Sequence, residues 1–208
     1  HLVTITKPFY IGKFEVTQSQ YVALMGKNPS EFVNQNNPVE SVSYYDAKAF
    51  CDKLNSQYIN ILPKGYKFDL PTEAQWEYAC RAGTTTALNN GKNLTKVDGA
   101  CFNVDEVAWY EENSGKTTHE VGQKKPNAWG IYDMPGNVRE WCRDWYGEYP
   151  TSEANDPQGP DNGSKRVQRG GYYWLGANWC RSAFRFREEY YDRGFSSVGF
   201  RVALVPID

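Results

Sequence analysis

Five cysteines, two histidines and 25 acidic side chains are the residues of this 208-residue chain that could carry redox, metal or acid–base chemistry. Their spacing supports little of it. Cys51, Cys80, Cys101, Cys142 and Cys180 lie far apart, with no C-x-x-C pair and no Cys/His pairing at zinc spacing. The odd number leaves at least one thiol free, and nothing in the spacing demands a disulfide. Cys51, Cys80 and Cys180 sit among apolar neighbours and read as small buried hydrophobes. His1 and His119 are too few for a facial triad of metal ligands. No Ser/His/Asp set, Walker loop or paired-carboxylate motif occurs. Arg139, Glu140 and Asp144 read as structural pairing and solvated charge.

The segment that concentrates chemical character is the one after residue 171. Tyr172, Tyr173, Trp174, Trp179, Phe184, Phe186, Tyr190 and Tyr191 lie among Arg181, Arg185 and Arg187, between the short frames Arg169-Gly170-Gly171 and Gly199-Phe200-Arg201. One or two rings here are expected to fill the core, Phe200 and Tyr173 being those beside the frames. A surface loop between strands cannot turn all the others inward. Exposed aromatics with arginine offer large contact area with few torsions to freeze, which is the makeup of binding hot spots. Single-stranded nucleic acid uses the same residue types. A net charge of −2 and the interspersed Glu188, Glu189 and Asp192 argue against nucleic acid as a partner.

These residues need elements to hold them. Residues 3–14 alternate as one or two strands. Thr17 and Gln20 form a capping-box pattern for a helix that Gly26 stops. A second helix runs from Tyr44 to about Tyr58, with Ala47, Phe50, Cys51 and Leu54 at helical spacing. Tyr66 to Leu70 alternates as a strand, and Thr72 with Gln75 caps a third helix ended by Gly83, with Glu77 and Arg81 paired one turn apart. Residues 84–127 are polar and irregular apart from a predicted strand near Val107 to Tyr110. A turn at Pro135-Gly136-Asn137 precedes an aromatic strand, residues 147–163 form a polar loop, and two strands, from Arg166 and from Gly199 to Val205, flank the aromatic segment. The pattern is α+β, without an internal repeat or a dividing linker. At 15% aromatics with 18 Gly and 11 Pro, the composition suits a loop-rich domain. No apolar run approaches the length of a membrane span, and no stretch has the makeup of a signal peptide. The chain is strand-like immediately after His1, so a leader or anchor is expected to have been removed ahead of it.

Six fragments carry a resemblance: residues 9–17, Pro38-Val39 with Val42-Ser43, residues 70–77, residues 127–141, Arg169-Gly170-Gly171 and Gly199-Phe200-Arg201. In order and type they resemble the formylglycine-generating enzyme (sulfatase-modifying factor) family over nearly the whole chain. The resemblance implies a variant C-type lectin fold, loop-rich with short strands and two to three helices. Residues 1–208 would form a single domain with a C-terminal variable segment at about 167–201. The enzymes of that family rely on two cysteines a few residues apart just beyond the Gly-Gly, which bind copper and activate oxygen. Here the interval from Tyr172 to Arg187 holds only Cys180, in a Cys-Arg-Ser-Ala setting similar to the structural cysteine of non-catalytic members. A second enzymatic branch, the iron-dependent sulfoxide synthases, needs clustered histidines that are lacking. Family members also hold structural calcium on loop carboxylates, Asn side chains and carbonyls, but no D-x-D-x-D-G loop localises such a site here.

The segment also resembles the variable proteins of diversity-generating retroelements, in which fixed frames alternate with positions rewritten by adenine-directed mutagenesis of a template. The frames would be Arg169-Gly170-Gly171, Ala177, Cys180 to Ala183, Arg185 and Gly199 to Arg201. The rewritten positions would be Tyr172, Trp174, Leu175, Gly176, Asn178, Trp179, Phe184 and Phe186, extending through Arg187 to Glu189. With Tyr173, these positions up to Arg187 form the candidate ligand-binding set, and no catalytic or metal residue is assigned. The resemblance implies a non-catalytic binding protein at the bacterial cell surface, an outer-membrane lipoprotein that meets the membrane only through a lipid anchor ahead of His1. Its partner would be an unknown protein or cell-surface ligand. The alternatives are a fixed-specificity binding module and a formylglycine-generating-type or related metal-dependent oxidoreductase.

Overall fold

The computed structural model describes residues 1–188, 192 and 194–207. Three capping boxes set its three longer helices. Thr17 accepts from the Gln20 amide ahead of α1 (Gln18–Met25), Ser43 from Asp46 ahead of α2 (Tyr44–Tyr58), and Thr72 from Gln75 ahead of α3 (Glu73–Arg81). In each box the third helical residue's side chain returns a bond to the cap, so two otherwise orphaned amides are satisfied together. Gly26 ends α1 in the left-handed region, as its lack of a Cβ permits. The cap of α3 is Ala82, itself left-handed, with Gly83 following, one residue earlier than the sequence suggests.

The strands are short: β1 (Val3–Thr4), β2 (Tyr10–Ile11), β3 (Tyr66–Asp69), β4 (Arg139–Trp145), β5 (Ala154–Asn155), β6 (Arg166–Arg169), β7 (Arg185–Glu188), β8 (Val198–Gly199) and β9 (Ala203–Pro206). They form a β1–β5 pair, a three-stranded sheet in the order β2-β9-β3, and a four-stranded sheet in the order β7-β6-β4-β8 with β7 outermost. Two features depart from expectation. The run expected from Gly199 to Val205 is divided into β8 and β9. Val107 to Tyr110 is not a strand: α4 (Phe102–Asp105) precedes it, and its carbonyls are taken by Asn113 and by the Asn137 amide. Its β-prone side chains are buried in a packed loop instead, so burial rather than strand pairing accounts for their type.

One large cluster and two smaller ones make up the core. Tyr21, Phe50, Trp141 and Phe200 anchor the first, Trp76, Met134, Cys142 and Val167 the second, and Leu88, Val104, Tyr110, Ala177 and Cys180 the third. All five cysteines are free thiols and all are buried. Asp144 is not the solvated charge its sequence setting suggests: it is 4% exposed, with Oδ2 accepting from the Glu73 amide at 2.8 Å and so capping α3. Arg139 and Glu140 do not pair with one another. Strand alternation sends them to opposite faces of the sheet, and Glu140 pairs with Arg201.

Candidate functional site

The two Gly/Arg frames are explained by what they touch. A Cβ at Gly171 would lie 2.6 Å from the Pro135 carbonyl and 3.0 Å from the Cys180 sulfur, and one at Gly199 would lie 2.4 Å from the Val39 carbonyl. Only glycine permits those approaches. The Arg201 guanidinium is fully buried. Its Nε and Nη2 each reach a Glu140 oxygen at 2.7 Å, and its remaining donors go to the carbonyls of Gly12 and Tyr132 at 2.9 Å. Arg169, also fully buried, pairs with Glu73 and Glu77 and donates to the carbonyls of Ala183 (3.2 Å) and Ser182 (2.7 Å). One frame arginine thus holds the far end of the aromatic segment in place through its backbone.

The rest of the segment is fixed in the same manner. Glu111 donates its amide to the Leu175 carbonyl at 3.1 Å, the Tyr173 amide reaches the Asn137 carbonyl at 3.0 Å, and the Ser182 amide reaches the Ala87 carbonyl at 2.9 Å. Inside the segment, Leu175 bonds to Tyr172, Trp179 to Gly176 and Phe184 to Arg181, all main chain to main chain. A 3₁₀ turn over Ala177–Cys180 buries Ala177 and Cys180 and leaves Asn178 and Trp179 outward. Sequence reading had no signal for this turn, nor for β7, because neither has a periodic pattern of its own.

Trp179, Phe184 and Phe186 form one patch: Trp179 meets Phe184 edge-on at 4.6 Å, stacks on Phe186 at 5.5 Å, and Phe184 lies 4.8 Å from Phe186. The Arg139 guanidinium lies between Phe186 and Tyr172, 4.9 and 5.0 Å from their centroids. Burial pushes its pKa down from the ordinary arginine value, and its one side-chain hydrogen bond among the described residues is to Ser197 Oγ at 2.8 Å. Arg139 is therefore part of the surface, which the sequence reading missed. Trp174, 49% exposed, has the Lys116 ammonium 4.9 Å over its ring, and Trp179 is 37% exposed. Tyr172, Leu175, Gly176, Asn178, Phe184 and Phe186 are half-buried, and Arg187 is exposed and turned toward Tyr146. Tyr173 differs from the others: it is 3% exposed, packs edge-on to Phe32 at 5.2 Å, and belongs to the interior. Phe200 is core as expected. Glu189, Tyr190 and Tyr191, also part of the sequence reading, lie outside the described residues.

The donor set for copper does not fit. Cys180 is 1% exposed in an apolar cluster with Cys101, and burial holds its thiol well above the ordinary range, so it stays protonated and closed off. The frame carboxylates are engaged: Glu140 by Arg201 and Trp76, Glu15 by Asn137 and the Val138 amide, and one oxygen of Asp133 by the Gly122 amide. Among the described residues no group of three or more His, Cys, Asp and Glu side chains could hold a metal ion.

Comparison with known proteins places this geometry. Residues 1–205 match the model of the sulfatase-modifying factor enzyme 1-like domain. Chaperone protein LppX of Paenibacillus barcinonensis is 36% identical over 209 residues, covering 78% of this chain and 68% of that protein. The mouse formylglycine-generating enzyme is 32% identical over 189 residues, which cover 86% of this chain but 47% of the enzyme, so the chain spans about half the enzyme's length. Among solved structures, Treponema denticola variable protein 1 (TvpA) superposes with a TM-score of 0.85 at 34% identity, covering 95% of this chain and 84% of that one. With the matched domain running almost end to end, and with the fold shared by a variable protein, the chain belongs to the sulfatase-modifying factor enzyme 1-like family.

Proposed function

We propose that this protein is a non-catalytic binding protein whose ligand surface is formed by Tyr172, Trp174, Leu175, Gly176, Asn178, Trp179, Phe184 and Phe186, and that a retroelement rewrites those positions; Arg187, on the face of β7 that turns to Tyr146, is left out of that surface. The observation that carries the reading is the manner in which the segment is held. Each hydrogen bond between it and the scaffold just described uses main-chain atoms or fixed residues, so a changed side chain at the surface leaves the anchoring intact. Half-exposed rings on a backbone so fixed are preorganised contact area, with little left to freeze on binding. The resemblance to a variable protein and to LppX agrees with this role. The protonated, enclosed Cys180 weighs against the formylglycine-generating chemistry of the longer relatives, and the binding role needs no cofactor. The proposed ligand is a protein or cell-surface molecule, and the proposed location is the bacterial surface through a lipid anchor ahead of His1.

The test lies beside the gene. A near-identical repeat and a reverse-transcriptase gene should adjoin it, with differences confined to template codons that carry adenine. A tryptophan codon ends in G, so positions 174 and 179 require a template codon such as AAG, whereas Tyr172 requires AAC or AAT. Sister sequences that vary as much at Arg169, Gly170, Gly171 and Cys180 as at the surface positions would remove diversification. Libraries randomised at the surface positions should yield folded binders to a supplied protein target, and uniform failure to fold would remove the binding role.

A further inference from the structure

Side chains alternate along β7, so while Phe186 joins the aromatic surface, Arg185 turns to the opposite face of the sheet. There it lines a second cavity, a cleft of about 700 Å³ among α3, the start of the chain and the loop of residues 147–160. That volume suits a small organic ligand. Tyr78, Trp145 and Tyr149 contribute rings to the lining, and Glu73, Glu77, Asp144 and Glu148 contribute carboxylates.

Two of those carboxylates are already matched. Glu73 takes two bonds from Arg185, at 2.6 and 2.7 Å, with further bonds from Arg169 and the Tyr149 hydroxyl. Glu77 pairs with Arg81 and Arg169. Asp144 differs. Its Oδ2 caps α3 and its own main-chain amide also bonds the carboxylate, but among the described residues no side chain donates to it and no lysine or arginine nitrogen pairs with it. At 4% exposure this is a nearly buried acid that lines a cavity without a side-chain counter-ion. Burial first, and the neighbouring Glu73 charge after it, hold its carboxyl up at about 7, so a cation supplied from outside would return it to the ionised form. An anionic ligand would meet Glu148 and Asp144, and the two arginines that line the cleft, Arg81 and Arg185, are already paired with Glu77 and Glu73.

We infer that the cleft binds a small primary organic amine, its ammonium donating to the Asp144 carboxylate and its hydrocarbon or aromatic body lying against Tyr78, Trp145 and Tyr149. The site is separate from the aromatic surface and does not depend on that surface's role.

Calorimetric titration of the whole chain with benzylamine, and with benzyl alcohol and benzoate as neutral and anionic counterparts, tests it. Benzylamine should bind saturably at concentrations up to about 10 mM, and the other two should bind at least about tenfold more weakly. Asp144→Asn should weaken benzylamine at least about tenfold. Because that change also touches the α3 cap, Ala74→Leu provides a second variant. It sits on the helix lining the cleft, narrows it without altering a charge, and should weaken binding while keeping the fold. Trp179→Ala, on the aromatic surface, should leave benzylamine binding unchanged. Equal binding of benzyl alcohol, absence of saturation, or unaltered affinity in a folded Ala74→Leu or Asp144→Asn protein would each overturn the inference.

Discussion

Trp76 and Trp141, in the scaffold, and Trp174 and Trp179, in the aromatic segment, are the same residue type put to opposite uses. The scaffold pair are fully buried and their indole N–H groups are matched, Trp76 to Glu140 Oε2 at 2.7 Å and Trp141 to the Val42 carbonyl at 3.0 Å. The segment pair are half-exposed, and neither indole N–H has a partner among the described residues. A buried indole needs its donor satisfied, whereas one facing solvent does not. In these four tryptophans the state of the polar tip follows the burial of the ring.

The comparison breaks most visibly if a scaffold indole is removed. Trp141→Ala should cost about 3–5 kcal/mol, because it empties the centre of the first core cluster and strands the Val42 carbonyl, and denaturant unfolding would measure it. A loss comparable to that of a surface mutant would mean the two classes of tryptophan are not distinct.

A smaller effect belongs to the buried acids. Asp144 is held up at about 7 and Asp133 at about 6, both by burial first, and Glu15 is raised well above its usual range by burial and by Asp133 and Glu140. An acid whose folded pKa lies above its unfolded value binds more protons folded than unfolded. Its contribution is therefore most favourable below the unfolded pKa of roughly 4 and is lost as pH rises through the folded value near 7. Asp144→Asn should flatten the stability profile between those limits and gain on the order of 1–2 kcal/mol relative to the parent at pH 8. Thermal unfolding against pH would show it, and a profile of unchanged slope would contradict it.

The smallest effect sharpens the comparison from the other side. Trp174→Ala and Trp179→Ala should each change stability by less than about 1 kcal/mol, since half-exposed rings have less area to lose and no hydrogen bond. A drop of several kcal/mol at either would assign that ring to the core.

Legibility in the sequence followed how local the cause was. The caps at Thr17 and Thr72 and the Glu77–Arg81 pair are written within four residues and are found where expected. The box at Ser43 went unread because its return partner is Asp46 rather than Glu or Gln. Val107 to Tyr110 misleads because its burial comes from residues near 113 and 137, which no short window contains. In the segment itself, which rings face outward is decided by main-chain groups tied to Glu111, Asn137 and Arg169, so Tyr173 and Trp174, adjacent and chemically alike, part company. Arg139 joins the surface from 33 residues before Tyr172 with no motif to announce it.

The position of β7 at the rim of the four-stranded sheet bears on solubility. An outermost strand offers unpaired main-chain groups to any neighbour, and apolar side chains there invite stacking of one molecule on another. Here Phe186 is bracketed by Arg185 and Arg187, with Glu188 next, so the rim carries charge on both sides of that ring. Arg185 is tied down by Glu73 and stays put. That fixed charge beside the exposed rings opposes edge-to-edge pairing of one molecule with another.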